Sequence, residues 1–98
     1  MQWLYELFNR KYSKLKKHAK EEHRAREQLD LSFRQWENAS ELNQSPIIPA
    51  KKYFRSLVYY LQTVIDIHKI KGRDSTPIND LAHQAIDSWW GFEKVSKL

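Results

Sequence analysis

The chain has 98 residues, 41% hydrophobic and 30% charged, with two Gly, three Pro and no Cys; that is enough for one modest core and too little for a second lobe and a deep interdomain cleft. The lack of Cys excludes disulfide scaffolds and thiolate zinc sites. Seventeen Lys and Arg against twelve Asp and Glu give a net charge of +5, so a charged partner is expected to be anionic.

Sparse breakers imply long helices, because the glycines are isolated at Gly72 and Gly91 and the prolines are confined to Pro46, Pro49 and Pro77. At 100 degrees per residue, Leu4, Leu7, Phe8, Leu15, Leu29, Phe33 and Trp36 share one arc. This register predicts one continuous helix over about residues 2–40, roughly 55 Å long. A break at Asp30 or Ser32 is the alternative, since Ser32-Phe33-Arg34-Gln35 reads as a capping box.

Residues 41–49 form the predicted first connection, with Ser45 and Pro46 as an N-cap and N1 pair. The next helix, over about 50–71, carries Tyr53, Phe54, Leu57, Val58, Tyr60, Leu61, Val64, Ile65 and Ile67 around half its circumference. An apolar arc that wide marks the central helix of the fold. Gly72 suits its C-cap, and Thr76-Pro77 restarts the chain as N-cap and N1. The third helix is predicted over 77–90, with Ile78, Leu81, Ala82, Ala85, Ile86 and Trp89 on one stripe and Asp80, His83 and Asp87 opposite. Gly91 is read as its end, followed by a short tail over 91–98. The expected fold is all-α, one domain of three helices, or four if the first one breaks, with the long basic first helix projecting from the core. The segment around His18, Glu22 and Arg26, where the inward stripe turns polar, is the part expected to project.

No catalytic constellation is evident. A nucleophile elbow, a P-loop and a dinucleotide fingerprint all need clustered glycines that the chain lacks, so no enzymatic activity and no cofactor are expected. His18 and His23 are five residues apart and diverge by about 140 degrees on a helix, which argues against a metal pair. Glu22 is instead expected to pair with Arg26, and His68 to be a hydrogen-bonded core histidine.

The basic run is the main functional signal. Residues 10–26 hold eight Lys and Arg against Glu21 and Glu22. Arg10, Lys14, Lys17, Lys20 and Arg24 are assigned to a basic face able to follow phosphates or an acidic protein surface. The third helix makes a poor DNA reader, because Asp80 and Asp87 would meet phosphate with like charge. Aromatic side chains off the inward stripes are candidate interface anchors, namely Trp3, Trp90 and Phe92.

No apolar stretch approaches the roughly 20 residues that cross a bilayer, and Arg10 and Lys11 interrupt the N-terminal segment too early for a signal-peptide core. A cytoplasmic location is therefore expected. In size, basicity, helical content and lack of catalytic residues, the chain resembles the small accessory proteins that phages and other mobile elements make to bind and modify host machines such as nucleases or CRISPR complexes. The projecting basic helix, the spare aromatics and the lack of a catalytic constellation lead to the expectation of a small non-enzymatic interaction protein that docks on a larger macromolecular complex, a nucleic-acid-processing machine, and modulates or inhibits it, and the resemblance agrees with that reading. Two alternatives stand beside it. One is non-specific nucleic-acid binding by the first helix, and the other is a membrane-surface or immunity-type bundle using Trp3, Leu4, Leu7 and Phe8. Self-association of the long helix is also left open.

Overall fold

A computed structural model of the chain describes residues 2–97, with side chains described at Arg10 and from Ser13 onward. Three α-helices follow in order: α1 over Gln2–Glu41, α2 over Ile47–Lys71 and α3 over Thr76–Ser96. The protein is all-α, a three-helix assembly with α1 unbroken through Asp30–Ser32. At 1.5 Å per residue α1 is about 60 Å long and α2 about 37 Å; the molecule extends 63 × 22 × 20 Å.

Local chemistry sets the ends of the helices. Asn43 takes a left-handed φ of 53°, letting the Gln44 N–H bond back to the Ala39 carbonyl at 2.9 Å and close α1. Gly72 does the same for α2 at φ 71°, where the following Arg73 N–H reaches the His68 carbonyl at 2.8 Å. Before α3, Asp74 Oδ1 accepts hydrogen bonds from the Thr76 N–H at 3.0 Å and the Thr76 hydroxyl at 2.7 Å.

Three boundaries differ from the sequence reading. α2 starts at Ile47 with Pro46 as N-cap, so Pro49 lies inside the first turn, where its missing N–H costs no intrahelical bond. Ser75, not Thr76, is the N-cap of α3, and Asp74 supplies the accepting side chain. The third helix also continues through Gly91 to Ser96 rather than ending at 90. Contacts from α2 hold that last stretch: Phe92 stacks on Phe54 with ring centroids 5.6 Å apart, and Glu93 meets Lys51 at 2.8 Å.

The central helix is α2, as its wide apolar arc implies. α1 and α3 both pack on it, and among the described residues α1 and α3 make no Cα approach within 8 Å of each other. The inward line of α1 runs through Leu15, His18, Glu22, Ala25, Leu29, Ser32, Trp36 and Ala39, all buried or half-buried. Their alternating steps of three and four are those of a coiled-coil seam. Its most buried members, Ala25, Ser32 and Ala39, are small. At the centre the Ser32 and Ser56 hydroxyls lie 3.0 Å apart, joining α1 to α2. Nearby, Trp36 packs on both Tyr53 and Phe54, so with Phe92 an aromatic chain links all three helices.

The polar segment expected to project is packed instead. Tyr60 of α2 donates a hydrogen bond to Glu22 at 3.3 Å, and the Arg26 guanidinium sits 5.9 Å above the Tyr60 ring. Tyr60 supplies a half-polar surface suited to that stretch. Phe33 and Leu81, both assigned to inward stripes, are 45% and 53% exposed at the margins of the packing. Leu4, Leu7 and Phe8 of the predicted stripe lie outside the described side chains.

Candidate functional site

Each cation assigned to the basic face, Arg10, Lys14, Lys17, Lys20 and Arg24, is exposed. None of the five forms an ion pair among the described residues. Glu22 and Glu27 are engaged elsewhere by their spacing along the helix, while Glu21 lies on the face of the strip itself. Glu22 binds Arg26 four residues on, Glu27 lies 2.9 Å from His23, and the Glu21 carboxylate is 3.3 Å from His18 Nδ1 without hydrogen-bonding geometry. Hydrogen bonding with the Tyr60 hydroxyl and the Glu22 carboxylate raises Arg26 above its ordinary value, holding it charged but occupied. The strip from Arg10 to Arg24 thus presents five cations against Glu21, none of them ion-paired among the described residues, over about 21 Å of helix.

Other cations are gathered beside α1 through the tertiary structure, on both sides of its seam with α2. The antiparallel turn brings Lys71 and Arg73 beside Lys16, around a hollow of about 580 Å³ floored by Val64, Ile67 and Tyr60. On the opposite side of the α1–α2 seam lies a larger groove of about 670 Å³. Its α1 wall is Ala25, Gln28, Leu31, Ser32 and Gln35; Lys52, Arg55, Val58, Tyr59 and Gln62 come from α2, and Trp89 from α3. Lys52 and Arg55 are exposed and likewise form no ion pair among the described residues. The seven-residue steps Arg10, Lys17, Arg24, Leu31 run straight into the lip of this groove.

The sequence reading missed Lys52, Arg55, Lys71 and Arg73. All four are scattered along α2 and its C-terminal turn, and only the register of α2 against α1 gathers them. The heptad step from Arg24 to Leu31 was a usable signal for the groove, since a residue seven on must share the face.

The aromatic anchors divide. Trp90 is 55% exposed on α3, as an anchor requires. Phe92 is not free, because it is half-buried and stacked on Phe54; the assignment as an anchor is corrected to a packing role, for the same reason that α3 outruns Gly91. Trp3 lies outside the described side chains, as do the apolar residues of the membrane-surface alternative.

His68 is half-buried with Nδ1 3.0 Å from the Val64 carbonyl, an ordinary helical bond. Among the described residues no three His, Asp or Glu converge as a metal site, and no helix there is long and apolar enough to cross a membrane. No protein-family model, curated protein or solved structure matches the chain.

Proposed function

We propose that this is a non-enzymatic docking protein that binds a nucleic-acid-processing complex through the basic strip of α1 and alters its activity. The observation that carries this reading is the excess of positive charge on Arg10, Lys14, Lys17, Lys20 and Arg24, all exposed on one helix and opposed on that face by Glu21 alone. Solvated charge of one sign held on a straight element attracts an anionic surface and orients the approach. Trp90, exposed on α3, offers an aromatic contact of the type that anchors interfaces.

The test compares the tagged protein with the triple variant Lys14→Gln, Lys17→Gln, Arg24→Gln in capture from host-cell lysate, with and without nuclease and across a salt series. A protein complex that survives nuclease, weakens with salt and is lost by the triple variant supports the reading. Equal retention of that complex by the variant overturns it. A second reading, binding to nucleic acid with no protein partner, is favoured by the continuity of the strip with the groove beside Lys52 and Arg55. It predicts that capture disappears with nuclease and that purified protein binds nucleic acid with a steep salt dependence. The triple variant should then flatten the slope of log affinity against log salt by about 2 to 2.7, at roughly 0.7 to 0.9 per charge.

A further inference from the structure

We infer that the groove between α1 and α2 receives an unpaired base of a single-stranded nucleic acid whose backbone follows the strip Arg10, Lys17, Arg24. The inference rests on the strip meeting nucleic acid and adds which form of nucleic acid it selects and where.

Two features of the groove suit a single strand, its charge and its walls. It is continuous with the basic strip, because Leu31 on its lip is the next heptad position after Arg24, while Gln28 and Gln35 continue the line of Lys14 and Glu21. Glu21 is the single acid on that line, and it lies beside His18. On the far wall, Lys52 and Arg55 face the opening with no carboxylate partner among the described residues, so cations flank the groove from both helices. An anionic backbone laid along α1 would remain among cations as it crosses to α2.

Its walls also suit a base. Tyr59 is 62% exposed on the rim, and its side chain takes part in none of the ring pairs or hydrogen bonds of the described residues. An exposed ring beside cations is the stacking platform used for single strands, because every base has a π face. Trp89 lines the same groove, and its indole Nε1 is buried with no acceptor among the described residues. The amides of Gln28 and Gln35 add donors and acceptors that tolerate any base edge, while Gln62 donates to Asp66 at 3.2 Å. At about 670 Å³ the groove lies within the roughly 300 to 1,000 Å³ of small organic ligand sites.

A duplex cannot use this feature. Its base faces are stacked inside, and its phosphates would meet only the strip. The geometry therefore separates two contributions, electrostatic attraction from the strip and single-strand preference from the groove.

The experiment measures the binding of intact protein to dye-labelled oligothymidylate, a mixed-sequence single strand and a duplex of equal length at matched salt. Variants are Tyr59→Ala, Tyr59→Phe and the strip variant, with sedimentation of each protein alone. The expected result is tighter binding of both single strands than of the duplex. Tyr59→Ala should weaken single-strand binding by roughly 5- to 150-fold, the loss of one stacked base, and leave duplex binding unchanged. Tyr59→Phe should retain the preference, since it keeps the ring. The strip variant should weaken both substrates together. Equal affinity for single strand and duplex, or a Tyr59→Ala variant that binds as the parent does, overturns the groove assignment while leaving the strip intact. Loss of neither substrate in the strip variant overturns the electrostatic reading instead. A dimer that Tyr59→Ala converts to monomer, with no competition from oligonucleotide, shows that a second copy fills the groove and overturns the inference.

Discussion

Ser32 sits where the first two helices come together, and its small size matters as much as its hydroxyl. The hydroxyl bonds to the Gln28 carbonyl at 2.8 Å and to Ser56 at 3.0 Å. Ser32→Ala should cost about 1 kcal/mol by removing the interhelical bond. The double variant with Ser56→Ala should cost less than the two singles added, because neither hydroxyl is then left without its partner. Ser32→Leu should cost more, roughly 1 to 3 kcal/mol, since the side chain at this position stands 3.0 Å from Ser56 across the seam, too close for a branched chain without displacing α2. Urea midpoints give the comparison, and a leucine tolerated as well as the alanine would contradict a close seam. Glu93 makes a separate prediction about acid. Its hydrogen bond with Lys51 holds its carboxyl below the ordinary carboxylate range, with Lys97 adding to the effect against partial desolvation. A carboxylate with a depressed folded value contributes stability above its unfolded value, near 4.3, and loses it as pH falls through the folded one. Melting temperature should therefore drop on acidification across that window in the parent, and more shallowly in Glu93→Gln.

The two glycines respond oppositely to the same substitution. Gly91 lies inside α3 without positive φ, and an added Cβ would meet nothing within 4 Å. Gly91→Ala should stabilise the protein by about 0.4 to 1 kcal/mol by restricting the unfolded chain. Gly72 has the same open surroundings but a φ of 71°, so Gly72→Ala should destabilise by about 1 to 2 kcal/mol through strain alone. Thermal unfolding of both variants checks the pair, and equal signs would contradict the assigned backbone. These positions also show what the sequence makes legible. Period and breakers suffice for three helices and for the central role of α2, because a half-apolar circumference has to be covered on two sides. They mislead at Gly91 because the contacts that extend α3, from Phe92 to Phe54 and from Glu93 to Lys51, come from residues some 40 positions away. The seam of α1 is hidden for a different reason. Ala25, Ser32 and Ala39 are its most buried residues, yet they contribute almost nothing to a hydropathy pattern, which points instead to Phe33, half of it exposed. In the candidate site, the α1 cations are legible as a face, whereas Lys52 and Arg55 acquire meaning only from the α1–α2 register.

At the scale of the whole molecule the unusual quantity is surface. The chain exposes 7697 Å², against about 5,950 Å² for a compact protein of its mass. Its radius of gyration is 17.3 Å, where about 13 Å is usual for this length. The cause is architectural: α1 outruns α2, α1 and α3 do not close on each other, and Ile65 is the single large side chain fully buried among the described residues. Folding then removes about 55% of the unfolded chain's surface from water, where about 65% is expected for a compact chain of equal mass. Because the urea m-value scales with the area exposed on unfolding, it should fall about 15% below that of compact domains of equal length. For a monomer the midpoint should also be independent of protein concentration. A full-sized m-value with a midpoint that rises with concentration would mean that a second copy already covers the open face, since mass action links the stability of a dimer to its concentration.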